Sequence, residues 1–247
     1  MTHLIPPIKK QSSDFKKKFL IISDFDNTIV EGFSSDATLT TLKNQDLVWE
    51  IRHSEEPWSD CMQRAYLEMK KEGIPLEALK VKIDELKMNE KWPELMEFIR
   101  KHSDIIRMII LSGSTNLYLG WFLEKRNYTD IIKTFYALPT ELDDELYIKI
   151  GNIEHHCKSC KADQCKRQNI EDYFNKHPES HYDKVFYFGD GKNDLCGAQW
   201  LREQDILFPR VDWPLHKLLI ENPNAVKCKF VPWRTGEDIL NVLKECI

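Results

Sequence analysis

Asp24 and Asp26 stand two residues apart in the run Phe19-Leu-Ile-Ile-Ser-Asp24-Phe-Asp26-Asn-Thr28-Ile-Val30. Carboxylates at that spacing can share a divalent cation and present one oxygen as a nucleophile, and an aspartyl phosphate is an established covalent use of Asp. The plainer alternative is a strand end followed by a turn, two jobs that Asp also favours. Two other apolar runs end in the same way. Lys184-Val-Phe-Tyr-Phe leads into Gly189-Asp190-Gly191-Lys192-Asn193-Asp194, and Arg107-Met-Ile-Ile-Leu leads into Ser112-Gly113-Ser114. Magnesium takes one or two carboxylates plus waters and substrate phosphate, so Asp24, Asp190 and a main-chain carbonyl near Asp26 would suffice to hold it. Ser112 and the N–H groups of Gly113 and Ser114 could hold phosphate oxygens. The Gly189–Asp194 loop does not fit a calcium loop, because Lys192 stands where a ligand oxygen is needed and a strand pattern precedes it.

These residues need elements to aim them. Apolar runs without alternation read as strands buried on both faces, as in a parallel sheet, and ligands bind beyond the carboxyl ends of such strands. Between the first two runs the signals are helical. Trp58, Met62, Ala65, Tyr66 and Met69 recur at helical spacing, as do Leu76, Leu79, Ile83 and Leu86, with Gly73-Ile-Pro75 as a turn between them. Trp92-Pro93 opens a further helix. An insertion there can act as a lid that excludes water and carries specificity contacts, or Trp58, Met62 and Tyr66 can simply pack its interior. Beyond Ser114 the pattern predicts a helix over 118–126, a β-hairpin made of Thr134–Leu138 and Glu145–Ile150, and a helix over 168–175. Strands at 205–208 and 228–231 and a helix over 238–246 follow. The expected architecture is α/β, a three-layer parallel-sheet core with an inserted helical cap. Residues 1–17 would be a flexible tail, 18–33 and 104–247 the core, and 34–103 the cap.

Composition narrows the partners. The 247 residues suit one large domain or a core with a cap. Lys and Arg total 35 against 40 Asp and Glu, a net charge of −5, which favours neither nucleic acid nor an anionic membrane surface. No apolar run is long enough to span a bilayer, and Met1–Lys18 lacks the apolar region of a signal peptide. A cytoplasmic monomer or weak dimer is expected. In that compartment the seven cysteines would be reduced, metal-bound or core residues. Cys61, Cys196, Cys228 and Cys246 stand alone and read as structural. His155-x-Cys157-x2-Cys160-x4-Cys165 offers a Cys3His set suited to structural zinc, with reduced thiols as the alternative. Lys158, Lys161, Lys166 and Arg167 surround it and would lower thiol pKa values.

In order, Asp24-Phe-Asp26-Asn-Thr28, Ser112, Lys166 and Gly189-Asp190-Gly191-Lys-Asn193-Asp194 resemble motifs I to IV of the haloacid dehalogenase-type phosphatases. The cysteine segment through Lys166, Gly189 to Cys196, Phe208-Pro209-Arg210 and Val231-Pro232-Trp233 narrow the resemblance. They look like the phosphoethanolamine/phosphocholine phosphatase family, with its pyridoxal phosphate phosphatase-like branch, over residues 18–243. The resemblance implies a haloacid dehalogenase-type core and a small phosphorylated metabolite as substrate. It implies Asp24 as nucleophile, Asp26 as acid and base, and magnesium at Asp24, Asp26, Asp190 and Asp194. Ser112 and Lys166 would bind the phosphoryl oxygens, with Lys158, Lys161 or Arg167 as substitutes for Lys166. In the cysteine segment the family pattern has an earlier histidine where this chain has Ile153. Members acting on cationic amines carry acids at two positions that align here with Ser35 and Gly113. Asp36 could replace one if the loop shifts, and Trp49, Trp58 and Met62 could favour a flatter or more apolar ester. Poor activity on phosphocholine and phosphoethanolamine is therefore expected, with pyridoxal 5′-phosphate one candidate. Two other classes compete. A non-enzymatic phospho-acceptor switch would lack the paired acid Asp26 and the inserted helices. A zinc-dependent interaction module would rest on the cysteines alone.

Overall fold

In the computed structural model, residues 18–143, 147–151, 154–160, 164–178 and 180–247 are described. The tail at 1–17, Glu145, Leu146, Ile153 and Lys161 lie outside them. Five Ile-, Leu- and Phe-rich residues, Phe19–Ser23, form β1, and the last four are buried. It runs parallel between β2 (Ile106–Thr115) and β6 (Lys184–Gly189), with Ser23 level with Ile110 on one side and Phe188 on the other. With β3 (Thr134–Leu138), β7 (Ile206–Pro209) and β8 (Lys229–Phe230) they make a parallel sheet of order β3-β2-β1-β6-β7-β8.

Alternation along the strands divides the core into two layers. Ile21, Met108, Ile110, Phe186, Phe188 and Phe208 face one side. Leu20, Ile22, Ile109, Leu111, Tyr187 and Leu207 face the other, where α7 (Lys166–Lys176) contributes Ile170 and Tyr173.

The hairpin expected from Thr134–Leu138 and Glu145–Ile150 does not form. Thr134–Leu138 instead pairs parallel with β2, Leu111 beside Tyr136, where a buried sheet edge supplies backbone partners. Pro139 follows, and the antiparallel pair is β4 (Thr140–Leu142) with β5 (Ile148–Ile150).

Within 34–103 lie α1 (Ser34–Leu39), α2 (Gln45–His53), α3 (Trp58–Lys71), α4 (Leu76–Asp84) and α5 (Trp92–Lys101). The apolar stripe of α3 buries Cys61, Met62, Ala65, Tyr66 and Met69. The β4–β5 hairpin docks on this helix, with Ile150 N–H donating to Gln63 Oε1 at 2.8 Å and Lys70 Nζ 2.7 Å from Asp143. The last helix of the stretch behaves differently. α5 packs on α10 (Gly236–Cys246), and the Trp92 ring meets Trp233 and Phe188 edge-on at 5.8 and 5.9 Å. It flanks the main sheet. Among the described residues no helix is long and apolar enough to cross a membrane.

Candidate active site

Asp24 leaves the carboxyl end of β1 with its own N–H bonded to Phe188 O at 2.9 Å, so the sheet fixes its backbone. Its Oδ1 accepts the Phe25 N–H at 2.7 Å, and its Oδ2 lies 2.7 Å from Lys166 Nζ. Lys166 opens α7, with Cys165 Sγ capping the helix by accepting the Gln168 N–H. The same ammonium reaches Asp194 Oδ1 at 2.6 Å.

Asp194, first residue of α8 (Asp194–Ala198), is engaged on both oxygens. Oδ1 also accepts from Tyr187 Oη at 3.0 Å, and Oδ2 accepts the N–H groups of Asp190 and Gly191 at 3.1 and 3.0 Å. Gly189 permits this, since a Cβ there would lie 2.5 Å from Asp194 Cγ. Asp190 accepts from Thr28 Oγ1 at 3.1 Å.

Electrostatics follow from burial. Desolvation raises the pKa of Asp24, Lys166 opposes the rise, and the charges of Asp194 and Asp190 add to it. Asp190 is pushed up to about 7, by burial and then by Asp194. Burial works against the Lys166 ammonium, yet Asp194 and Asp24 together raise its pKa and keep it charged. Oxygens of Asp24, Asp190 and Asp194 lie within 4.8 Å of one another. Three buried carboxylates beside one ammonium leave an excess of two negative charges, which fits a divalent cation of the magnesium type. Asp194 accepts two donors on each oxygen, whereas Asp24 accepts one on each and Asp190 one from Thr28, so Asp24 and Asp190 keep the most capacity to hold it.

Asp26 points into the same space. Its Oδ1 accepts the Ser34 N–H at 2.8 Å and its Oδ2 the Ser34 hydroxyl at 3.2 Å. Ser34 Oγ is also 2.7 Å from Ser114 Oγ, which ties the start of α1 to the end of β2. Burial lifts the Asp26 carboxyl to about 6 against these hydrogen bonds.

A cavity of about 880 Å³ opens above these groups, lined by Asp24, Asp26, Lys166, Asp190, Gly113 and Ser35. Asp36, Trp58, Phe33, Arg52 and Trp213 also line it. Ser112 is fully buried, its Oγ accepting the Ser114 N–H at 3.0 Å. Asp36 is paired with Arg52 at 3.1 Å. Met62 is buried in the core, and Trp49 is 63 % exposed and stacked on His53.

Sequence reasoning missed several residues that hold the site. Asn27 adopts the left-handed conformation (φ 57°). Arg210 bonds Asn27 O and, at 2.9 Å, Asn89 Oδ1, while Asn89 Nδ2 donates to Thr28 O and Val30 O at 2.8 and 3.1 Å. Arg210 sits in a motif that had signalled resemblance without a role. Asn89 carried no signal, because its partners are distant in sequence.

The cysteines require a correction. The four sulfurs lying within 4.8 Å of one another belong to Cys157, Cys160, Cys165 and Cys196. His155 is not in this group, and Cys196, expected to stand alone, is. Packing of α8 on α7 brings it there.

Residues 19–247 match the family described as Putative Phosphatase. A phosphoethanolamine/phosphocholine phosphatase of Gallus gallus is 27% identical over 239 residues, covering 93% of this chain and 89% of that one. A pyridoxal phosphate phosphatase PHOSPHO2 of Rattus norvegicus is 28% identical over 235 residues, covering 92% and 98%. The fold is similar to that of a phospho-aspartyl intermediate analogue of phosphoserine phosphatase (TM-score 0.61, 16% identity, covering 92% of this chain and 99% of that one). It is also similar to a HAD family hydrolase of Salmonella enterica (TM-score 0.64, 12% identity, covering 94% of this chain and 72% of that one). The chain belongs to the Putative Phosphatase family.

Proposed function

We propose that this phosphoric monoester hydrolase works through an aspartyl phosphate on Asp24, with magnesium as cofactor. The observation that carries this is the Asp24–Lys166 contact beside Asp190, under the cavity, with Asp26 presented two residues on. Asp24 attacks phosphorus in line, and the bond to the leaving alcohol oxygen breaks. Asp26 gives its proton to that oxygen, a task suited by a carboxyl lifted to about 6. Asp26 then takes a proton from the water that attacks the phosphoaspartate, which frees inorganic phosphate and restores Asp24. Lys166 faces the phosphoryl oxygens as charge develops, and Gly113 offers backbone at the cavity wall. Asp24 and Asp190 would hold the magnesium, which would supply the charge neutralisation that an anionic ester needs beside buried carboxylates.

The substrate is a small phosphomonoester with no need for a buried cationic amine. Neither Ser35 nor Gly113 offers a charge, and the charge of Asp36 is taken by Arg52. An ammonium placed there would stay unpaired at a cost, whereas Phe33, Trp58 and Trp213 suit a flat or apolar leaving group. Pyridoxal 5′-phosphate meets this description, in keeping with the name of the PHOSPHO2 relatives.

Hydrolysis of p-nitrophenyl phosphate with and without magnesium, by wild type and Asp24→Asn, tests the chemistry. Activity is expected only with metal and to vanish in the variant. Near-normal turnover by Asp24→Asn would overturn it. A panel of phosphate esters scored by kcat/KM tests the substrate class. A tenfold lead for phosphocholine, about 1.4 kcal/mol of transition-state preference, would contradict the reading of Ser35 and Gly113.

A further inference from the structure

Cys157, Cys160, Cys165 and Cys196 play no part in the phosphatase chemistry, yet they converge. The sulfur atoms of Cys157 and Cys165 stand 3.6 and 3.7 Å from that of Cys196, and all four sulfurs lie within 4.8 Å of one another. Zinc–sulfur bonds of about 2.3 Å in a tetrahedron place sulfurs ~3.8 Å apart. Both measured separations are close to that value. No pair is joined as a disulfide, and clusters bridged by inorganic sulfide would hold the thiolates further apart.

The backbone is arranged for thiolates. N–H groups of Ser159 and Cys160 point at the Cys157 sulfur, and Gln168 N–H is 3.4 Å from the Cys165 sulfur. Such donors stabilise sulfur that carries negative charge. The ligands also come from separate parts of the chain. Three precede or cap α7, and the fourth lies in α8, two residues after Asp194.

We propose that Cys157, Cys160, Cys165 and Cys196 bind one structural zinc ion. Four protein ligands close the coordination shell, so this ion activates no water. Binding converts four thiols to thiolates and releases their protons to solvent, leaving a site of net charge −2 beside Arg167. The ion ties Cys157, Cys160 and Cys165 to α8. Cys165 directly precedes Lys166, so the cross-link braces the two helix starts that carry Lys166 and Asp194. Cys160 and Cys196 also line the cavity, which places the zinc behind one of its walls.

Metal analysis of the full chain, purified without chelators from zinc-supplied cells, tests the assignment independently of any phosphatase assay. About one zinc per chain is expected. Cys196→Ser should lose most of it, and His155→Ala should keep it. Cobalt exchanged into the wild-type protein should show the thiolate charge-transfer and intense visible bands of a tetrahedral sulfur site, a readout that survives if Cys196→Ser fails to fold. Absence of zinc from wild type, full retention in Cys196→Ser, loss in His155→Ala, or an octahedral cobalt spectrum would each overturn the proposal.

Discussion

Tyr187 and Lys166 donate to the same oxygen of Asp194, from 3.0 and 2.6 Å. One comes from the middle of a strand and the other from the first turn of a helix, so the carboxylate locks two elements at fixed spacing. Beneath them Gly197 leaves no spare room, since a Cβ there would lie 2.9 Å from Tyr187 Oη and 3.1 Å from Lys166 Cβ. Asp194 therefore aims the ammonium at Asp24.

Removing that ammonium should be costly twice over. Lys166→Met leaves Asp24 and Asp194 buried without their partner, a change that typically costs about 3–5 kcal/mol. Activity should fall by roughly 10²-fold or more, the scale of losing one preorganised donor. Urea unfolding at pH 8 and turnover of p-nitrophenyl phosphate measure both. A stability loss under about 1 kcal/mol would show that the carboxylates escape the penalty, by protonation or by rearrangement.

Gly189→Ala should displace Asp194 without touching the nucleophile. Its Cβ would overlap Asp194 Cγ, and misplacement of a catalytic group by about 1 Å can cost on the order of 10²-fold. Tyr187→Phe, which deletes only a hydrogen bond, should cost about 1 kcal/mol of stability. The comparison of kcat in the two variants separates geometry from bonding, and equal effects would contradict it.

Ser34 should matter through Asp26. Asp26→Asn is expected to lower turnover by about 10²-fold or more while ligand binding persists. Ser34→Ala removes one of the two hydrogen bonds to that carboxylate, keeps the backbone donor, and should cost roughly tenfold in kcat, in line with about 1.5 kcal/mol for a charged hydrogen bond. Ser34→Ala should add little further loss to Asp26→Asn. Additive losses in the double variant would place Ser34 in some other role.

Protons and magnesium should compete at Asp190. Its folded pKa of about 7 lies above the unfolded carboxyl value of 3.8, so between those pH values the folded state holds a proton that the unfolded state has released. For magnesium-free protein this group favours folding less as pH rises from about 4 to 7. Melting temperature without magnesium should therefore be higher at pH 6 than at pH 8, and the gain on adding magnesium should be larger at pH 8. Asp190→Asn should flatten the difference. A magnesium-free protein that becomes more stable from pH 6 to 8, with the variant unchanged, would reverse the sign.

Much of this site is legible before any coordinates. Asp24 and Asp190 follow from apolar runs that end in polar residues, because backbone direction in a parallel sheet fixes where those ends point, while Lys166 follows only from the resemblance to the phosphatase motifs. Thr134–Leu138 is legible as a strand, but its pairing partner is not. Its own residues do not reveal which neighbour it pairs with, and the edge of β2 outcompeted the nearby hairpin partner. Cys196 and Asn89 were missed because each owes its position to tertiary packing. The Cys-x-x-Cys spacing is local and visible, whereas the contact between α7 and α8 that supplies the fourth sulfur is not.

β1 has strand neighbours on both edges, with β2 and β3 on one side of it and β6, β7 and β8 on the other. Its amide hydrogens can reach solvent only when those neighbours part, so their exchange should track unfolding of the whole molecule. The helices that wall the cavity, with an exposed Trp49 and a mostly solvent-screened Asp36–Arg52 pair, can open at a smaller free energy. Asp24 thus leaves the strand least able to breathe, whereas the helices that line the cavity beside it are freer to do so.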